Sequence, residues 1–179
     1  METYNILILS IGRRVELVTC FRNAAKRLEI NSLIVGGDCQ ATAPALYFTD
    51  IFHILPPIFS KNYIDSIIDI CNQNNIALII PTIDTELMLL AKNKKHIESM
   101  TNAKVLVSDE RIISICRDKV NTQRFLETNG FKVPRMYTET ELNGLMELSH
   151  PLFIKPRDGS SSINTFRVNS VEELNMFRR

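Results

Sequence analysis

Paired cysteines, clustered histidines, an excess of either charge and any long apolar run are all missing from this chain of 179 residues. Cys20, Cys39, Cys71 and Cys116 are scattered, with no Cys-x-x-Cys pair and no histidine at ligand spacing. A zinc site or a disulfide frame is therefore excluded, and the four read as reduced, mostly buried thiols of a cytoplasmic protein. His53, His96 and His150 stand alone in the sequence and read as structural or surface residues. The net charge of +1 implies no nucleic acid and no membrane surface as partner. Ile6-Leu7-Ile8-Leu9 is too short to span a bilayer, and no basic region precedes it as a signal peptide requires. Glycine is scarce where a dinucleotide would need it. The first strand-to-helix turn, Ser10-Ile11-Gly12-Arg13-Arg14, holds only Gly12, which disfavours a nicotinamide-binding Rossmann domain, although Asp38 would suit a ribose. There is no internal repeat and no low-complexity linker.

What is present is an ordinary globular composition, 45% apolar and 23% charged, long enough for one domain or one and a half. Apolar strands alternate with amphipathic helices through the first half. Strands are expected at Tyr4 to Ser10, Ser32 to Val35, Asp50 to Leu55, Ala77 to Ile80 and Lys104 to Val107. Helices are expected at Arg14 to Leu28, Lys61 to Asn74 and Thr85 to Met100, the first with Val15, Val18, Phe21, Ala25 and Leu28 on one face. Gly36-Gly37-Asp38 reads as the turn that closes the second strand. Fully apolar strands joined by such helices mean an α/β fold, an open parallel sheet covered on both faces.

A boundary is expected between Ser108 and Arg117, dividing residues 1–112 from 113–179. Beyond it a helix from Asp118 to Asn129 ends at Gly130, suited to a left-handed cap. A strand at Val133 to Tyr137 follows, then a capping-box helix opened by Thr138 and Glu141 and running to Leu148. The run Pro151-Leu152-Phe153-Ile154-Lys155 is a strand ending in a lysine. It passes into Pro156-Arg157-Asp158-Gly159-Ser160-Ser161-Ser162, a partner strand at Asn164 to Asn169, and a second capping box at Ser170 to Glu173. Such a loop leaves backbone N–H groups free to converge on an anion, with hydroxyls beside them. Alone it reads first as a solvated turn between two strands, and only the rest of the chain reverses that. Lys119 sits in a first helical turn, where a cation is unfavourable unless a phosphate lies near.

In an open parallel sheet, ligands lie beyond the carboxyl ends of the strands. Three of those ends carry suggestive residues: Gly12-Arg13-Arg14, Gly36-Gly37-Asp38, which reads more simply as a turn, and Pro81-Thr82-Ile83-Asp84-Thr85-Glu86. Asp84 or Thr85 reads equally as a helix cap. Gly12, Arg13, Arg14, Asp84 and Glu86 are the candidates for a polar rim around a small charged substrate.

Asp118-Lys119, Phe125 to Pro134 and Pro151 to Ser162, in that order, resemble the opening of an ATP-grasp domain. Upstream, Gly12 to Leu17 and Pro81 to Leu87 resemble the preceding pre-ATP-grasp, Rossmann-like domain, in the style of the carbamoyl phosphate synthase large subunit. The resemblance covers essentially the whole chain. It implies a pre-ATP-grasp domain at 1–112 and an incomplete α+β ATP-grasp subdomain at 113–179. It also implies a ligase that uses ATP to convert a carboxylate into an acyl phosphate for attack by an amine or ammonia. Lys119 and Lys155 would then contact the nucleotide phosphates, and Gly159, Ser160, Ser161 and Ser162 would form the loop over them. Phosphoryl transfer needs positioning and charge neutralisation more than a covalent protein group.

In that family the adenine hinge, the acidic ribose contact and the metal ligands come later in the sequence, so the Mg2+ ligands are expected beyond residue 179. These residues alone are expected not to turn over ATP, and the chain reads as a partial chain or a split subunit. A complementary C-terminal subunit or a homodimer would be its partner, with small carboxylate and amine substrates. Two rivals stand beside this reading: a non-catalytic interaction module that keeps the fold, and a dinucleotide-binding oxidoreductase domain relying on Gly12 and Asp38.

Overall fold

The computed structural model describes residues 3–149, 151–159 and 162–177. Five strands form one parallel sheet: β1 (Asn5–Leu9), β2 (Ile34–Asp38), β3 (Ile51–Ile54), β4 (Ile76–Ile80) and β5 (Lys104–Val105). Their order is β3-β2-β1-β4-β5. In register, Leu7 of β1 lies between Val35 of β2 and Ile79 of β4. Strand pleating sends alternate residues of β1 to opposite faces. Leu7 and Leu9 join a core with Ile67, Ile79, Leu90 and Ile97, under α2 (Tyr63–Gln73) and α3 (Asp84–Met100). Ile8 joins Val18, Ile34 and Leu46 on the other face, under α1 (Val15–Arg27) and the 3-10 turn Pro44–Phe48. Both faces are covered, as the apolar strands required.

The predicted Gly36-Gly37-Asp38 turn is instead the buried second half of β2, paired with β1 on one side and β3 on the other. The glycines serve close packing there. A Cβ on Gly37 would sit 2.7 Å from Leu55 Cδ1, and one on Gly36 3.0 Å from Thr49 Cγ2. The expected boundary at Ser108 to Arg117 is occupied by a helix, α4 (Glu110–Arg117). The chain divides into two compact units, Met1–Ile113 and Ser114–Arg179.

The second unit holds α5 (Lys119–Thr128), α6 (Glu139–Asn143), β6 (Leu152–Ile154), β7 (Phe166–Val168) and α7 (Val171–Met176). β6 and β7 pair antiparallel, Leu152 opposite Val168. Gly130 takes φ +79°, as the left-handed cap after α5 demands. Val133 to Tyr137 is not a strand. Pro134 has no N–H to donate to a ladder, and no strand pairs with this segment among the described residues. The next helix stops at Gly144 rather than Leu148.

The capping box of α6 forms as expected, Glu141 accepting from the Thr138 N–H at 2.7 Å and from Arg135 at 2.9 Å. The Thr138 N–H and then Arg135 hold the Glu141 carboxyl at about 2, below its ordinary 4.5. A depressed folded-state value stabilises the helix start fully above pH 4.5, and that support fades as pH falls towards 2. Carboxyl-carbon NMR titration of Glu141 should therefore place its midpoint near 2. A midpoint at the ordinary value would mean the box is open in solution. At α7 the second box is rearranged: Ser170 Oγ accepts from the Glu173 N–H, while Glu173 reaches past it to the Asn169 N–H at 2.7 Å.

Burial corrects the reading of the thiols. Cys20, Cys39 and Cys116 are exposed and only Cys71 is buried, its thiol pushed up to about 12 by desolvation. A thiolate-selective reagent at neutral pH should label three cysteines in the native protein and reach Cys71 only on unfolding. His53 lies on β3 with Nε2 3.2 Å from Asn74 Nδ2, desolvation lowering its pKa, and His96 is exposed. His150 lies outside the described residues.

Candidate functional site

Strand succession reverses at β1: β2 and β3 lie on one side of it, β4 and β5 on the other. The carboxyl ends of β1 and β4 flank this reversal, the place where open α/β sheets take ligands. Ser10 ends β1 with φ +45°, and Gly12 follows with φ +53°. This sharp turn leads into α1 and is held from three directions. Asp38 Oδ2 accepts from the Gly12 N–H at 2.8 Å while its Oδ1 accepts from the Gln40 N–H at 2.9 Å. Thr82 Oγ1 sits 2.9 Å from the Leu9 carbonyl and 2.7 Å from that of Ser10. Arg14 donates to the Ser10 carbonyl at 3.1 Å and to the Thr82 carbonyl at 2.8 Å, tying the β1 end to the β4 end.

Glu86, on the first turn of α3, is not on a rim: it is completely buried. Its Oε1 accepts from the Ser10 hydroxyl and, at 2.6 Å, from the Tyr63 hydroxyl. Its Oε2 is buried with no partner among the described residues. Burial pushes the Glu86 carboxyl up, the Ser10 and Tyr63 hydroxyls opposing this, Asp38 adding to it and Arg14 relieving it. Burial and the Glu86 charge likewise push the Tyr63 phenol up.

Of the rim candidates, Arg13 and Asp84 are exposed and Gly12 and Arg14 half-buried. Asp84 is inside α3, the cap position falling on Ile83. Asp38 is nearly buried and both its oxygens accept backbone N–H groups, which leaves it ill-placed for a ribose. Sequence reasoning missed Tyr63 and Thr82. Tyr63 stands in no motif, and Thr82, though within the Pro81 to Glu86 run, carries no charge to mark it; they reach Glu86 and the β1 end only through the fold.

In the second unit, the start of α5 meets the loop after β6. Asp118 caps α5, its Oδ1 accepting from the N–H groups of Val120 at 2.9 Å and Asn121 at 3.0 Å. Its Oδ2 accepts from Arg157 Nε at 2.5 Å. Desolvation is the largest single influence and raises the Asp118 carboxyl, but the Asn121 N–H, Arg157 and the Val120 N–H together outweigh it and lower it overall. The Lys119 N–H donates to the Arg157 carbonyl at 3.0 Å, and Lys119 Nζ to the Gly159 carbonyl at 2.7 Å. Lys119 and Lys155 both line a groove of about 570 Å³ whose apolar wall includes Met136, Tyr137, Leu142 and Ile154. Ser162 is the start of a turn, its carbonyl accepting from the Thr165 N–H. Ser160 and Ser161 lie outside the described residues. Arg135, 4.6 Å from the Tyr137 ring centre, also lines the groove and carried no sequence signal.

Residues 6–106, more than half the chain, match the family described as PylC-like, N-terminal domain. The chain belongs to the PylC-like family. Residues 116–179, downstream of the PylC-like region, match the ATP-grasp domain. Among solved structures, the L-amino acid ligase of Bacillus licheniformis is similar, with a TM-score of 0.65 at 20% identity over 98% of this chain and 41% of its own. The biotin carboxylase domain dimer of Hydrogenobacter thermophilus 2-oxoglutarate carboxylase, bound to MgADP, ADP and bicarbonate, gives 0.67 at 15% identity over 98% of this chain and 40% of its own. At these identities the likeness is one of fold. D-alanine–D-alanine ligase B of Clostridium perfringens is 29% identical over 66 residues, 34% of this chain and 22% of that protein. The PylC-like chain thus spans less than half the length of these relatives. The ATP-grasp resemblance and the α/β fold with helices on both faces stand as read from the sequence. No helix among the described residues is long and apolar enough to cross a membrane.

Proposed function

We propose that residues 1–179 are the N-terminal portion of an ATP-dependent carboxylate–amine or carboxylate–ammonia ligase. On this reading Met1–Ile113 is the substrate-side pre-ATP-grasp domain, and Ser114–Arg179 is the front of the nucleotide clamp. The observation that carries the reading is the meeting of Lys119 with the loop after β6, Nζ 2.7 Å from the Gly159 carbonyl, beside Lys155 in one groove. A lysine in the first turn of a helix adds charge where the helix end is already positive. Polyphosphate is the ligand that turns this arrangement into an advantage.

The groove fits ATP in its chemistry. Lys119 and Lys155 would neutralise phosphate oxygens, while the apolar wall of Met136, Tyr137, Leu142 and Ile154 would cover a base. Bound ATP supplies the γ-phosphoryl group that activates a carboxylate. Asp118 and Arg157 would orient the loop, and the Gly159-Ser160-Ser161-Ser162 segment would close on the phosphates. A magnesium ion does not fit the residues present: no group of three or more His, Cys, Asp or Glu side chains is placed to hold one among those described. Its ligands are proposed to lie beyond residue 179, and the isolated residues to bind nucleotide without turnover. A cytoplasmic setting and a complementary C-terminal portion or second copy as partner complete the reading.

Equilibrium dialysis of the 179-residue chain against labelled ATP and against NADH tests this. ATP retained and NADH not retained is the expected result. NADH retained in preference, with loss on Asp38→Ala, would replace the ligase by the oxidoreductase reading.

A further inference from the structure

The two edges of the first unit's sheet are finished differently. An edge strand offers a row of outward N–H and C=O groups, and proteins blunt it with lysine, proline, a bulge or brevity. β5, at one edge, has two residues, and one of them is Lys104. β3, at the other, runs Ile51-Phe52-His53-Ile54 with no lysine, proline or bulge. The Asp50 N–H donates inward to the Ile34 carbonyl, so strand alternation turns the backbone groups of Ile51 and His53 outward. The side chains alternate as well. Ile51 packs against the core under α2 and α3, which leaves Phe52 and Ile54 on the opposite face, 45% and 50% exposed. Tyr47, 65% exposed, sets its ring 5.6 Å from that of Phe52, and Phe48 beside it is 56% exposed.

We propose that this edge is a dimer interface, on which β3 of a second copy pairs antiparallel with β3. At roughly 200 Å² for a whole aromatic side chain, four residues about half exposed leave roughly 400 Å² of apolar surface in water. Patches of that size mark association sites. A stable interface takes roughly 800 Å² from each partner, about 60% of it apolar, so Tyr47, Phe48, Phe52 and Ile54 supply most of the apolar part. Self-complementarity favours a second copy over an unlike partner. About a two-fold axis at His53, Phe52 of each copy falls opposite Ile54 of the other, apolar against apolar on one face. His53 then meets its own counterpart with outward backbone groups on both, the arrangement of a hydrogen-bonded antiparallel pair. Burial lowers the His53 pKa, so the two imidazoles meet uncharged at neutral pH. No charged side chain stands on β3 to oppose its copy, and flanking Asp50 is held by Arg22 at 2.7 Å and by the Ile34 N–H at 2.8 Å. The net charge of +1 adds no general repulsion. With β5 blunted, pairing stops at two copies. The interface rests on the ligase reading only in giving its second copy a place; no ATP is needed to form it.

Sedimentation equilibrium of the 179-residue chain without nucleotide, at up to about 100 μM, exceeds the micromolar range reached by the weaker interfaces of this size. A reversible monomer–dimer equilibrium with no larger species is the expected result. Phe52→Lys and Ile54→Lys, each at an exposed position, should keep the wild-type circular dichroism and weaken the dimer about tenfold or more, since each sets a charge in the apolar patch. Phe131→Lys, at an exposed position in the second unit, should leave dimerisation unchanged. Hydrogen exchange at the Ile51 and His53 amides should slow as wild-type protein concentration rises, and should not do so in Phe52→Lys. The proposal is overturned by a monomer at every concentration, by a dimer indifferent to both β3 variants, by loss of the dimer in Phe131→Lys, or by exchange at Ile51 and His53 that ignores concentration. Should one β3 variant fail to fold, the other and the wild-type exchange still decide. ATP retained by a monomer would sink the interface and leave the ligase reading standing; a dimer that retains no ATP would do the reverse.

Discussion

Combining Lys119→Ala with Lys155→Ala is expected to weaken ATP binding by about a hundredfold or more. A hydrogen bond to a charged group is worth about 1.5–3 kcal/mol, roughly tenfold to a hundredfold for each lysine. The two are unequal in their secondary effects. Lys155 is exposed at the end of β6, so its removal deletes a charge and little else. Lys119 also holds the Gly159 carbonyl, so its loss should loosen the loop as well as remove a charge. The single variants should therefore differ: Lys155→Ala slows association and makes binding less salt-sensitive, whereas Lys119→Ala also speeds amide exchange at Arg157 to Gly159. Calorimetry at two salt concentrations separates these effects. ATP affinity unchanged in the double variant would remove the groove from consideration and leave the interaction-module reading standing.

Leu7→Ala should cost about 3–5 kcal/mol of unfolding free energy, the upper range for a buried leucine whose surroundings cannot collapse. Leu7 is completely buried at the centre of the sheet, between Val35 and Ile79. Its cavity would be bounded by strand backbone on both sides, which resists closing. Typical domain stability is about 5–15 kcal/mol, so the variant consumes a large part of it. Denaturant unfolding followed by circular dichroism gives the number. A loss below about 1 kcal/mol would mean that α2 and α3 can settle onto the sheet, contrary to the close packing expected of a core.

Much of this architecture was legible because buried parallel strands write short, unbroken apolar runs, and Ile6 to Leu9 and Ile76 to Ile80 are such runs. The cap at Gly130 and the box at Thr138 and Glu141 were equally readable, since each is a local geometry that few residues satisfy. Gly36-Gly37 misled for a physical reason. Glycine marks either a turn or a close approach of neighbours, and only the packing of Leu55 and Thr49 tells which. Glu86 was singled out as a rim residue, but its burial depends on Tyr63 and Ser10, which are 23 and 76 residues away. No local pattern carries that information. The same holds for Arg157, whose partner Asp118 lies 39 residues earlier.

That last pairing alters what a cut in the backbone would do. Arg157 with Asp118, and Lys119 with the carbonyls of Arg157 and Gly159, clasp the two ends of one long excursion that includes α5, α6 and β6. The excursion is closed on itself in the manner of a buckled strap. Closing a loop this long is entropically dear for a free chain, yet lengthening it adds little. Inserted residues between α6 and β6 would thus be tolerated, and a chain nicked there would remain fastened at the buckle.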